Sequence, residues 1–287
     1  MLTNDFALDA KSIQKLSNKG LAQEHLKSQI DDNQLDLCLE LWHSQGLEII
    51  KHHGSYYFST RFTSITDGEF CIVDIETNGS KIEKHQIIEI AALKIKDGKV
   101  IDRFESLVKC QEINIHISEI TGIKVEDTKD APPLKDVLYK FKTFLANSIF
   151  VAHDVKFDYS FISLSMQKIG LEPLLNRSLC SLAIAQRTIV SYRYALSYLN
   201  DTLNLNPDAT HHRAMSDVIT TYELFKLSLD GIKKTNKDIK SVENLIKFSK
   251  DAKRLKRPKF DPLLLEGQKE EEEEEKDVKK EDSAYSA

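Results

Sequence analysis

Three apolar runs in close succession, Phe70 to Val73, Ile87 to Ile95 and Val100 to Val108, constrain the fold of this 287-residue chain more than any other feature. Asp97-Gly98 lies between the second and third runs, and such a pair supplies the two positive-φ residues of a tight hairpin. The runs therefore read as sequential antiparallel strands. Pro132-Pro133 opens a helix that reaches about Ala146, and Ile149 to Ala152 reads as a buried strand. Asp154 is placed to cap the next helix, which ends near Gly170. Further helices are expected around Ser181 to Arg187, Tyr194 to Thr202 and Ala214 to Leu229. Hairpin strands followed by strands alternating with helices predict an α/β architecture, a mixed sheet flanked by helices.

Three segments within this frame carry acids in places where acids are costly. Asp74 and Glu76 end the first strand, and residues two apart project from one face, with Ile75 turned the other way. Two adjacent carboxylates repel unless a cation lies between them; alone, the pair reads equally well as a solvated strand end. Asp158 falls in the first turns of the helix after Ile149 to Ala152, and Phe161 and Ile162 mark its side of that helix as apolar. A lone carboxylate there is expensive to bury. In His211-His212-Arg213-Ala214-Met215-Ser216-Asp217, the two outer candidates, His212 and Asp217, are five residues apart. That spacing puts His212 on an entering loop and Asp217 in the first turns of a helix.

Taken in order, D-x-E, then D, then H-x4-D resemble the DEDDh branch of the DnaQ-like 3′→5′ exonucleases. The runs Asp74-Ile75-Glu76-Thr77-Asn78-Gly79, Val151-Ala152-His153 to Phe157-Asp158, and His212-Arg213-Ala214 to Asp217 look like that family's three motifs. Ile120-Thr121-Gly122-Ile123 and the Leu196 to Leu203 spacing add to the likeness, which spans about residues 69–230. Within the family, the chain is most similar to the proofreading epsilon type of bacterial DNA polymerase III, or to a stand-alone homologue. Many members carry Asn where this chain has Asp154.

The resemblance implies a ribonuclease-H-like fold and a two-metal-ion hydrolysis that releases nucleoside monophosphates from a DNA 3′ end, single-stranded or frayed. It makes Asp74, Glu76, Asp158 and Asp217 metal ligands for two Mg²⁺ or Mn²⁺ ions. It makes His212 the general base, with an ordinary pKa near working pH. It places the terminal sugar against the backbone near Thr77 and Asn78. The partners it implies are the polymerase III alpha subunit and the sliding clamp. Two other readings stay open: an RNA-trimming enzyme like RNase T or oligoribonuclease, and an inactive binding adaptor.

Composition divides the chain into four parts. Residues 1–68 form a small module in which Leu35 to Trp42, introduced by Asp31-Asp32-Asn33, reads as a helix and Leu47 to Ser59 as a hairpin turning near Gly54. This resembles a winged-helix unit, but six basic against nine acidic residues make a poor phosphate-binding surface, which favours docking or domain packing. Residues 69–230 form the α/β domain. Residues 231–265 form a basic helix and linker ending in the apolar anchor Phe260 to Leu265. Residues 266–287 hold ten acids and four bases and read as a disordered acidic tail; that tail accounts for the overall charge of −5. No run approaches the roughly 18 apolar residues of a membrane span. With four cysteines in no C-x-x-C pair, the expectation is a soluble, cytoplasmic protein that does not engage membranes.

Overall fold

The computed structural model describes residues 8–27, 30, 34–236 and 238–261. Asp31-Asp32-Asn33, Pro262 to Leu265 of the apolar anchor and the acidic tail lie outside the described residues. The N-terminal unit runs α1 (Ala10–Ser17), β1 (Leu21–Ala22), α2 (Gln23–Lys27), α3 (Leu35–Ser44), β2 (Ile49–His52) and β3 (Ser55–Phe58). Its strands form an antiparallel sheet in the order β1-β3-β2. His53 and Gly54 both take positive φ, as the turn between β2 and β3 requires. Leu16, Leu26, Leu35, Trp42 and Phe58 close a separate small core.

The main sheet holds β4 (Glu69–Thr77), β5 (Ile87–Lys96), β6 (Lys99–Leu107), β7 (Ile149–Ala152) and β8 (Ser178–Cys180), in the order β6-β5-β4-β7-β8. β4, β5 and β6 pair antiparallel, with Asp97 and Gly98 at φ of 50° and 67° in the turn. β7 joins β4, and β8 joins β7, in parallel. The helices are α4 (Ile115–Thr121), α5 (Val125–Thr128), α6 (Leu134–Leu145), α7 (Val155–Lys168), α8 (Ser181–Thr188), α9 (Leu196–Leu203), α10 (Ala214–Thr235) and α11 (Val242–Lys250).

Strand alternation splits the core. Phe70 and Ile72 pack with Val218 and Phe225 of α10 and Leu245 of α11. Cys71, Val73 and Ile75 face the other way, against Phe141 of α6 and Phe161 and Ile162 of α7. Burying side chains of this size contributes about 1.5–3 kcal/mol each. No helix among the described residues is long and apolar enough to cross a membrane.

Two local expectations are corrected and one element is added. Asp154 stands at the N-cap position of α7, but its φ of 70° puts it in the left-handed region and its side chain makes no capping bond. Capping through the side chain needs an extended backbone, so that conformation turns the carboxylate away from the open N–H groups. α10 continues six residues past Leu229, because Ile232 still has the main core to pack against. β8 had no separate signal, since three residues are too few to show a period.

The N-terminal unit is fastened to the main domain by a buried acid. Glu243, in the first turn of α11, accepts bonds from Ser17 Oγ (2.5 Å), Thr60 Oγ1 (2.7 Å) and Arg177 Nη2 (2.6 Å). Arg177 lies 4.3 Å from the centre of the Phe58 ring. Burial pushes the Glu243 carboxyl up, but the Arg177 charge and the three hydrogen bonds outweigh it and hold it below the usual carboxylate range.

Candidate active site

The acids gather where the end of β4 meets the starts of α7 and α10. Asp74 and Glu76 lie on the α10 side of β4, in step with Phe70 and Ile72, while Ile75 is buried on the opposite face. A register shift between Glu76 and Thr77 ends regular pairing just beyond them. Asp158 and Asp217 each occupy the first turn of their helix, where the helix dipole favours negative charge. Asp158 is 4% exposed and Asp217 is 9% exposed.

His212 is exposed on the loop before α10, with φ of 60°. That left-handed turn brings its backbone N–H to Asp217 Oδ2 at 3.1 Å. Glu76, His212 and Asp217 can each offer one ligand atom, all within 4.8 Å of one another. His211, beside it, lies 3.8 Å from both Asp201 and Asp217.

The electrostatics of these acids are unfavourable by design of their surroundings. Burial, then the charges of Asp158, Asp217, Glu76 and Glu89, lift Asp74 well above the ordinary range. Burial, then Asp217, Glu89 and Asp158, push Glu76 up to about 8, against the pull of Arg213. Asp158 is raised to about 8 by burial and by Asp154, although its own N–H and that of Ile75 pull it down. Burial also raises Asp217, offset in part by the His212 N–H and the two histidines. All four acids are raised, each by burial first and Asp74 and Glu76 also by the other acids, so they are costly to ionise together unless positive charge sits among them. An all-oxygen set of this kind suits a hard divalent cation.

Asn78 is engaged by its own loop. Its N–H donates to the Gln86 carbonyl (3.1 Å), its Oδ1 accepts from Gln86 N–H (2.8 Å) and its Nδ2 donates to the Glu112 carbonyl (2.8 Å). Thr77 closes β4 at the register shift.

Two residues of the site were given no role of their own in the sequence reading. Glu89 stands opposite Glu76 in the β4–β5 register and is 2% exposed. It forks onto Arg213, Oε1 to Nη2 at 2.9 Å and Oε2 to Nε at 3.3 Å, and also accepts the Ala214 N–H at 2.9 Å. It thereby holds the loop carrying His212 and the start of α10 against the sheet. The available signal was that Glu89 is the one acid inside the apolar run Ile87 to Ile95, and a buried charge demands a partner. His153 is the second. Its Nε2 lies 2.8 Å from the Tyr194 carbonyl, so it must donate there, leaving Nδ1 to accept from the Ser181 hydroxyl at 3.0 Å. Burial lowers its pKa, with the Tyr194 bond acting against that, which suits this neutral form.

A family model described as "Exonuclease" matches residues 71–225. In sequence, the chain is 35% identical over 189 residues to the DNA polymerase III PolC-type of Thermotoga petrophila, covering 64% of this chain and 14% of that protein. It is 38% identical over 183 residues to the PolC-type of Caldanaerobacter subterraneus (62% and 13%) and 30% identical over 210 residues to that of Staphylococcus haemolyticus (71% and 14%). The chain thus spans only about 14% of the length of these relatives. In structure, it resembles E. coli exonuclease I in complex with a dA16 oligonucleotide, with a TM-score of 0.53 and 16% identity over 60% of this chain and 42% of that one. That is a likeness of fold.

Proposed function

This chain belongs to the exonuclease family, and from that membership we propose that it is a metal-dependent 3′→5′ exonuclease acting on DNA ends, with a proofreading role beside a replicative polymerase. The observation that carries the reading is the convergence of Asp74, Glu76, Asp158 and Asp217, from three separate segments, on one edge of the sheet with His212 beside them. The family in general uses divalent metal ions.

The four carboxylates would hold two Mg²⁺ or Mn²⁺ ions. When bound, such ions supply positive charge against the phosphate oxygens and lower the pKa of a water molecule. His212 takes the proton from the attacking water: its ring is exposed, and its backbone is fixed to Asp217. Glu89 and Arg213 keep that loop in place. The backbone at Thr77 and Asn78 meets the sugar of the 3′-terminal nucleotide, and the bonds of Asn78 to Gln86 and Glu112 stiffen that wall of the site. The alpha subunit of polymerase III and the sliding clamp are the partners this reading assigns; the sequence relatives bear the name DNA polymerase III PolC-type.

The test is a 5′-labelled substrate set of single-stranded DNA, matched and mispaired duplex ends, and RNA, each with Mg²⁺ and with EDTA. The expected result is a one-nucleotide ladder on DNA, fastest from unpaired ends and absent in EDTA. Preference for RNA would move the protein to the trimming enzymes. No cleavage of any substrate would leave a binding adaptor.

A further inference from the structure

Beyond α11 the chain runs from Asp251 to Asp261 without regular secondary structure, yet it is tied to the main domain along its length. Arg187 of α8 donates to the Asp251 carbonyl. The Leu255 N–H donates to the Gln186 carbonyl at 2.9 Å, and Arg257 lies 5.3 Å from the centre of the Tyr194 ring. At the far end Asp261 is 6% exposed, accepts from Tyr198 of α9 at 2.5 Å and faces Arg193 at 3.7 Å.

Both acids of this arm are engaged locally: Asp261 as above, and Asp251 by the N–H of Lys253 at 3.0 Å. Lys253, Arg254, Lys256, Arg257 and Lys259 are all exposed, and none of the ion pairs among the described residues includes them. A fixed row of five like charges repels itself, and a stabilising role for the arm does not explain it. A polyanion would relieve it.

The ground beneath the arm frames the acidic cup. Tyr194, under Arg257, receives the bond from His153, which adjoins Asp154 at the start of α7. Asp201 of α9 lies 3.8 Å from His211, the neighbour of His212. Asn206, just after α9, reaches the Ser216 carbonyl (3.4 Å) and the Thr220 hydroxyl (3.3 Å) in α10. The arm therefore rides on a connection that bonds both the loop before α7 and α10 itself, and these two helices supply Asp158 and Asp217.

We infer that residues 253–259 are the track for the phosphate backbone of the DNA strand behind the 3′ end being trimmed. The inference rests on the exonuclease reading and assigns where the rest of its substrate lies. A protein interface would bury an apolar centre, whereas the exposed large apolar residues of the arm are only Leu255 and Phe260. Phosphate contact needs charge alone.

The full chain is compared with K253Q/R254Q/K256Q/R257Q/K259Q on a long 5′-labelled single strand and on a trinucleotide. Binding is followed by fluorescence anisotropy in EDTA across a salt series, and cleavage is followed in Mg²⁺. With roughly 0.7 counterions released per phosphate contact on single strands, the salt slope for the long strand should fall by about 3.5 in the five-charge variant. Affinity for the long strand should fall at least tenfold more than affinity for the trinucleotide, with a matching rise in KM. K253R/K256R/K259R should bind like the parent chain, because a phosphate track accepts either cation. Equal losses on both lengths, an unchanged salt slope, or failure of the arginine variant would overturn the inference. If the chain cleaves nothing in Mg²⁺, the exonuclease reading fails by itself, and the anisotropy series still decides the arm.

Discussion

Glu243 and the acidic cup are both buried carboxylate sites, and they are built oppositely. Glu243 has a guanidinium and two hydroxyls aimed at it, and its carboxyl is held below the usual range. The acids of the cup have backbone N–H groups, two histidines beside Asp217 and, for Asp74 and Glu76, one another's charges, and burial leaves every one of the four raised. Glu89 stands between the two cases, close enough to raise Glu76 and yet matched to Arg213. The difference teaches that burial of an acid does not itself indicate function. What marks a site for a ligand is burial whose positive charge the chain has left out.

The largest expected contrast follows from removing one charge at the cup. Asp158→Asn should lower the cleavage rate by roughly 10³-fold or more, the scale of losing a group that stabilises reacting charge. Its melting temperature should stay level or rise, because one repelling acid is gone. Melting curves beside initial rates check this, and a collapse in stability would place the cup with Glu243 as a structural cluster.

Glu243→Ala should do the reverse. Leaving the partly buried Arg177 without the fully buried acid it pairs with should cost up to about 3 kcal/mol of unfolding free energy in a denaturant titration. The rate per folded molecule should change little. A stability within error of the parent chain would mean that the junction is held by its apolar contacts alone.

Glu89→Gln sharpens the middle case. It removes the charge facing Arg213 while keeping the shape, and the loss in kcat should be about 10–100-fold, typical of a residue that orients a reacting group. The fall should be in kcat rather than in KM for the trinucleotide. A rate equal to the parent chain would remove Glu89 from the positioning of His212.

The smallest effect is a difference of sign with pH. In EDTA, Glu76 and Asp158 have folded pKa values near 8 against ordinary values of 4.5 and 3.8. The folded chain therefore holds more protons than the unfolded chain between those limits, and stability falls as pH rises through that window. Glu243 is depressed, so its contribution is present above its ordinary value of 4.5 and is lost as pH falls through its folded pKa. Unfolding midpoints from about pH 2 to 9 should show the upper decline weakened by Asp158→Asn and the acid-side loss weakened by Glu243→Ala. A flat profile above neutrality would contradict the raised pair.

Much of the catalytic half was legible in the residues. Asp97-Gly98 fixed one hairpin, and the phase of Phe70 to Ile75 placed Asp74 and Glu76 on one face of β4. The apolar neighbours Phe161 and Ile162 gave Asp158 its side of α7. What stayed hidden was long-range pairing. Nothing local says that Glu89 meets Arg213, 124 positions away, or that Glu243 gathers Ser17, Thr60 and Arg177. β8 was too short to carry a pattern, and the left-handed turn at Asp154 was obscured because Asp is also a common capping residue. The basic arm was visible as composition, but its attachment to Tyr194 and Tyr198 depends on contacts that only the folded chain makes.

The most direct test of the acidic cup is a calorimetric titration of Mn²⁺ into the metal-stripped full chain near pH 7, repeated in buffers of different ionisation enthalpy. The parent chain should bind the cation and release protons as it does so, because the raised acids give theirs up to make room. His212→Ala should bind within a few-fold of the parent, and Asp158→Asn should lose most of the affinity. Absence of binding by the parent chain, or undiminished binding by Asp158→Asn, would contradict the account.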